Sequence, residues 1–361
     1  MLRHRQDSNL DLLRATAVLM VVVFHVLLSL GMVRGRLGWL MGLGRWAVLI
    51  FFVHTSLVLM FSLERQAATV ALAWRHYLAF LLRRCFRLLP LSTVVIAAVV
   101  ALDLPVASVH HGHFAAAHPG VGGILANLFL VQNLTGSDSV MGTLWSLPFE
   151  MQMYLALPFA YVVAVQRTGR RSILAIWAGA AIASAVTTRF LHHLDFLSYV
   201  PCFLPGVMAF ALYRRPRAQR PWTAFPMVIA ALTAIYVVTR VEPVAWLGCL
   251  ALGCAIPLFR DMPAGRFWRA CHLVARYSYG VYLSHFILIW VFFVRLADRP
   301  ASLRWIGFPL AIAIVPALLY HLVEEPFIRR GNRLANAILT SGREQPAAGA
   351  IKSAARPPSP I

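Results

Sequence analysis

Charge is scarce in this chain, and negative charge most of all. Only 13% of its 361 residues are charged and just 13 are acidic. Soluble domains carry about 25% charged residues, so a surface wetted on all sides is excluded. Lysine is nearly missing as well, because 32 of the 33 basic residues are Arg. Cysteine is sparse, and Cys85, Cys202, Cys249, Cys254 and Cys271 form no C-x-x-C pair. That removes the common dithiol and zinc motifs; the five fall in apolar segments or Arg-rich loops, where no disulfide is expected. Apolar surface is what abounds, at 60% of residues with a mean hydropathy of +0.71. The composition is that of a membrane protein.

A spanning helix needs about 20 mostly apolar residues, fewer where Trp, Tyr or Arg flank it. On that rule ten spans are predicted, at 10–30, 45–63, 88–103, 148–166, 172–188, 199–213, 222–239, 243–259, 277–295 and 305–323. The fold class is therefore an all-α polytopic membrane protein. An eleventh apolar stretch, Gly122 to Leu134, is short, starts with Gly-Gly and ends in Gln132-Asn133, which reads as a re-entrant or interfacial helix. Ten crossings put both termini on one side. With the termini inside, 25 of the 33 basic residues fall in inside segments, the bias that marks cytoplasmic loops. The net charge of +20 thus answers to topology, and no nucleic-acid partner is expected. Ser29-Leu30-Gly31 follows the first apolar run, but the run is long for a signal peptide and no cleavage is expected. The chain is divided into a membrane domain over 1–335 and a disordered cytoplasmic tail over 336–361, rich in Pro, Ala and Arg.

Ionisable groups inside spans cost roughly 2.5–3.5 kcal/mol each on insertion scales, so those present face a cavity or one another. Arg14 and His25 are eleven steps apart, which on a helix returns to within about 20° of the same direction after a rise of about 16 Å. They share a face, Arg14 near the inner surface and His25 farther out. A snorkelling Arg with a hydrogen-bonded His satisfies the same spacing. Arg84 and Arg87, at i and i+3, present forked donors suited to phosphate, or serve as a topology signal. Glu150 and Tyr154 lie one turn apart behind Trp145; the acid either orients a reacting group or caps a helix start. Ser278, Tyr282 and His285 stand in the ninth span, and Pro326 after Glu324-Glu325 closes the tenth. His54 lies within the second span. His110, His111, His113 and His118 crowd an outer loop with only Asp103 near them and no Cys, so a solvated loop and no metal are expected.

Taken in order, these segments resemble the integral-membrane acyltransferase-3 family, whose members move acyl groups, usually acetyl, onto cell-envelope sugars and some secreted small molecules. Arg14 through His25 matches its Arg-x10-His signature and Arg84-x-x-Arg87 its inner-surface Arg pair. Leu144-Trp145-Ser146-Leu147 with Glu150, Gln152 and Tyr154 matches its Trp-Ser-Leu segment, and Gln132-Asn133 fits the stretch before it. Tyr277 to His285 resembles its late Ser-Tyr-x-x-Tyr-Leu-x-His motif, and Glu325-Pro326-Phe327 its closing Glu-x-Pro-Phe type ending. There are departures. Phe51-Phe52-Val53-His54-Thr55-Ser56 stands where the family tends to have Phe-Phe-Val-Leu-Ser-Gly, Ala47-Val48-Leu49 lacks the Gly and polar residue usually found before it, and Met151 replaces the second acid of a Glu-Glu pair.

The resemblance implies an acyl-coenzyme A donor, acetyl-CoA in the first instance, held at the inner surface by Arg14, Arg84 and Arg87. It implies His25 as general base or transient acyl carrier, with Glu150 orienting it or guiding the acceptor. Trp145, Tyr154, Ser278, Tyr282 and His285 are then expected in the substrate pocket. The acceptor would be a hydroxyl of an envelope saccharide or glycosylated metabolite, and the chain would sit in the bilayer of a bacterial cytoplasmic (inner) membrane. No esterase-like domain is recognised beside the membrane part, so transfer is expected to finish within it or on a separate partner. A proton-coupled transporter, whose intramembrane His and Arg would form a relay, is the competing class; a purely structural assembly partner is a third.

Overall fold

Every one of the ten predicted spans folds as a helix. The structure, a computed structural model, describes residues 8–34, 37–67, 74–110, 113–166, 170–190, 195–213 and 219–340. The first helices are α1 (Ser8–Ser29), α2 (Leu43–Ala67) and α3 (Trp74–Ala101). A short antiparallel ribbon follows, β1 (Ser108–His110) with β2 (His113–Ala115). Next come α4 (Val121–Leu128), α5 (Gln132–Thr135), α6 (Leu147–Gln166) and α7 (Arg170–Phe190). The chain continues through α8 (Val200–Tyr213), α9 (Phe225–Thr239), α10 (Glu242–Ala255), α11 (Arg266–Trp290), α12 (Ala301–Leu319) and α13 (Glu325–Thr340). Among the described residues, six helical stretches are long and apolar enough to cross a membrane, and three shorter apolar helices cover 172–187, 197–213 and 242–258.

The region of α2 is the centre of the bundle, with 78% of its apolar window buried against 11% for the outlying stretch Ala301–Thr340. It packs on α1 and α8, and α1 in turn lies along α11. The α2–α8 contact requires Gly206, where a Cβ would stand 2.0 Å from Ser56 Oγ and 2.5 Å from the Val53 carbonyl oxygen. Gly280 does the same for α11 and α12, since a Cβ there would meet Pro316 backbone at 3.0 Å. Small residues at these points are what let helix backbones approach when lipid supplies no hydrophobic drive.

The eleventh apolar stretch is not one helix. Leu130, with φ 55°, breaks it into α4 and α5, and eight residues of α4 rise only about 12 Å, too little to span. Asn127 ties it to the following loop: its amide donates to the Gly123 and Asp138 carbonyls and its oxygen accepts from Val140 N–H.

Two features depart from expectation at the end of the chain. Residues 336–340, assigned to a disordered tail, complete α13, because Gly331 and Ala335 form a small buried face that seats the helix on α3 at Phe86. The remainder of that expected tail lies outside the described residues, as does His111. The helix also does not simply end before Pro326. It widens into a π turn over Tyr320–Glu324 and continues, since Pro326 has no N–H for the Leu322 carbonyl and its ring needs the extra room.

Candidate active site

Arg14 from α1, Arg87 from α3, Glu150 and Tyr154 from α6, and Ser278 and Tyr282 from α11 line one internal cavity. Phe51 and Phe52 of α2 form its apolar wall. Its volume, counted as the space open to the centre of a water-sized sphere, is about 60 Å³, where a single water needs about 10–15 Å³.

Charge in this slot is unevenly matched. Arg14 feels the charges of Arg87, Glu150 and Glu324, and Arg84 those of Arg87, Glu150 and Arg65. Arg84 is placed just behind the wall, where its Nη2 donates to Ser62 Oγ at 2.9 Å and its guanidinium lies 5.5 Å from the Phe80 ring centre. Arg14 Nε, Arg84 Nε and both carboxylate oxygens of Glu324 are buried with no hydrogen-bond partner. Three guanidinium groups therefore face two carboxylates with donors to spare, an arrangement that is costly unless an anion or ordered water completes it.

Glu324 is the residue that reading the sequence missed. In the sequence both glutamates only mark the end of the tenth span, yet the π turn sends Glu324 inward, 1% exposed and within the field of Arg87 and Arg14. Glu325 instead lies on the surface between His321 and Arg329, at 3.0 and 2.6 Å. The available signal was Pro326 itself, two residues on, which forces the turn to widen.

His25 is not in this slot but one level farther along α1, against the rings of Phe24 and Phe286. Its Nδ1 lies 3.0 Å from the Val21 carbonyl oxygen and 3.1 Å from His285 Nε2. The Nδ1 of His285 lies 3.0 Å from the Val281 carbonyl oxygen. Carbonyls only accept, so each ring carries its proton on Nδ1. Then His285 Nε2 is a lone-pair acceptor for His25 Nδ1–H, and His25 Nε2 is left unprotonated. A neutral imidazole with a free, oriented nitrogen can take a proton or attack a carbonyl.

Tyr282 connects the two levels, lining the slot while its ring centre stands 6.1 Å from that of His285. Its hydroxyl donates to the Thr143 carbonyl at 2.7 Å and accepts from Ser146 Oγ–H at 2.7 Å. The Trp-Ser-Leu turn is in this way clamped onto α11. Glu150 accepts from Tyr154 at 2.5 Å; among the described residues the side chain hydrogen-bonded to His25 is His285. Trp145 faces a different cleft, with Gln132, Asn133, Tyr199 and Trp246. Among the described residues no three His, Cys, Asp or Glu converge as a metal site.

Fold and site together define an integral-membrane helical protein with a cation-rich internal slot and, one level farther along α1, a paired imidazole. The chain belongs to the acyltransferase-3 family: the family described as "Acyltransferase domain" matches residues 7–320. Membership in an acyltransferase family sets aside the transporter and structural alternatives. A Bacillus subtilis (strain 168) protein named "Putative peptidoglycan O-acetyltransferase YrhL" is 24% identical over 378 aligned positions, covering 91% of this chain and 56% of that relative. The chain thus spans about half the length of the curated relative it matches. No solved structure matches it.

Proposed function

We propose that this chain is a multi-pass O-acyltransferase of a bacterial cytoplasmic membrane, crossing ten times with both termini inside. It takes an acyl group, acetyl in the first instance, from cytoplasmic acyl-CoA and delivers it to a hydroxyl of an envelope saccharide or glycosylated metabolite. The observation that carries this reading is the alignment, on the single helix α1, of a cationic slot at Arg14 with the free Nε2 of His25 about 16 Å farther along. An anionic carrier with a long, thin, thioester-tipped arm fits those two stations. Its phosphates stay at the inner surface with Arg84, Arg87 and Arg14, where charge-assisted forks are strong. The arm then reaches past Arg14 toward His25.

In the transfer step His25 Nε2 takes the proton of the acceptor hydroxyl as its oxygen attacks the thioester carbonyl. The C–S bond breaks, the thiolate recovers the proton from the imidazolium, and ester and free thiol leave. The same nitrogen would serve if the acyl group rested on it first. The relative's name, "Putative peptidoglycan O-acetyltransferase YrhL", agrees with a saccharide acceptor. Acetyl-CoA should raise the unfolding temperature of the purified protein while a free monosaccharide does not, and Arg14→Ala should lose that protection. Equal protection of wild type and Arg14→Ala, or none in either, would overturn the donor assignment.

A further inference from the structure

The β1–β2 ribbon has two unlike faces. Its register pairs Ser108 with Ala115 and Val109 with Phe114, and successive residues of a strand point to opposite sides. Ser108 therefore shares a face with Ala115, and it lines a cavity of about 770 Å³ that also touches Ala107, Ala116, His118 and Gly142. Phe114 is turned the other way. It is partly buried between two exposed neighbours, His113 and Ala115, and its ring centre lies 5.2 Å from that of Phe286. Phe286 is 3% exposed and stands edge-on to the His25 ring at 5.1 Å. The order is thus cavity, ribbon, Phe114, Phe286, imidazole pair.

Backbone holds this partition in place. Ala107 N–H donates to the Ala115 carbonyl at 2.8 Å, and Gly142 N–H to the Val106 carbonyl at 2.9 Å. A Cβ on Gly142 would stand 3.0 Å from the Ala107 carbonyl oxygen and 3.1 Å from the Phe286 ring. Ribbon, Trp-Ser-Leu loop and ring meet there with no room for a methyl group. The Phe114 side chain is different, because an apolar ring is kept in position by packing alone and a rotamer change releases it.

A cavity of this size holds many waters, and water competes with any alcohol for an activated acyl carbonyl. In hydrolysis the water oxygen attacks the thioester carbon, the C–S bond breaks, and the proton passes through His25 Nε2 to the thiolate, leaving acid and thiol. The imidazole pair would serve either nucleophile, so the choice between them falls to whatever keeps water out.

We propose that Phe114 sets the reaction as transfer rather than hydrolysis, its ring sealing the imidazole pair from the cavity and yielding to a bulky acceptor. An acceptor larger than the ring gains enough contact to displace it, whereas a single water brings no such binding energy. The inference rests on the acyltransfer reading, whose step it guards.

The test supplies the purified full-length protein with acetyl-CoA and no acceptor, and follows release of the free thiol. Phe114→Ala should release it about tenfold or more faster than wild type, while Phe114→Leu, which keeps most of the apolar cover, should stay within about threefold. A misfolded variant would lose activity rather than gain it, and thermal protection by acetyl-CoA checks the fold separately. His25→Ala combined with Phe114→Ala should return the rate to that of His25→Ala alone. Release from Phe114→Ala at or below the wild-type rate, with acetyl-CoA protection intact, would overturn the seal and leave the acyltransfer reading standing. A leak that survives loss of His25 would overturn it too, since water would then reach the thioester by another path. Absence of acetyl-CoA protection in both proteins would remove the donor reading and this proposal with it.

Discussion

His285 acts on His25 through one nitrogen, and a substitution that replaces only that nitrogen isolates the effect. His285→Ala should lower the transfer rate by about 10²-fold while leaving acetyl-CoA protection unchanged, and His285→Gln, whose amide oxygen can accept from His25 Nδ1–H, should recover part of it. A rate in His285→Ala equal to wild type would remove it as a positioning residue. His25→Ala should cost more, about 10²–10⁴-fold, with insertion intact. Glu324 makes a prediction of opposite sign for binding. Glu324→Gln removes a buried carboxylate from the field of Arg87 and Arg14 and leaves three guanidinium groups against one, so the protein without donor should melt earlier. The shift produced by acetyl-CoA should then grow; a smaller shift would mean that Glu324 contacts the donor directly.

Helix packing obeys a simpler logic, and Gly206 is its sharpest test. A methyl group at Gly206 would overlap Ser56 and the Val53 carbonyl, so Gly206→Ala should part α2 from α8 and lower stability by about 1–3 kcal/mol in thermal unfolding. At this scale much was legible from the residues alone. Hydropathy located ten of the helical segments because each is a run of apolar residues bounded by Arg, Trp or Gly. The helical period puts Arg14 and His25 on one face. What stayed hidden were effects of backbone geometry and tertiary choice. A π turn adds one residue to a turn and so exchanges Glu324 for Glu325, and no period count reveals that. α13 escaped notice because Gly331 and Ala335 pack through their smallness, not their hydrophobicity. Trp145 and Glu150 are only five residues apart, yet the 3₁₀ turn at Leu144–Ser146 directs them to separate cavities.

For the whole molecule the testable quantity is orientation. A fluorescent protein fused after Thr340 should fold and fluoresce in the cytoplasm, and a periplasm-active reporter inserted at Ser137 should be active on the far side. The reverse pattern would invert the proposed route from donor to acceptor. The charge of the slot has a further consequence for the cell. A passage joining two compartments is a potential short circuit for the ion gradients that power the membrane. Here Arg14 and Arg87 line the slot against the single carboxylate of Glu150, fixed positive charge of the kind by which an Arg in a narrow pore repels protons and cations. Under the proposed transfer, carbon would cross the bilayer while the protein remained an electrical insulator.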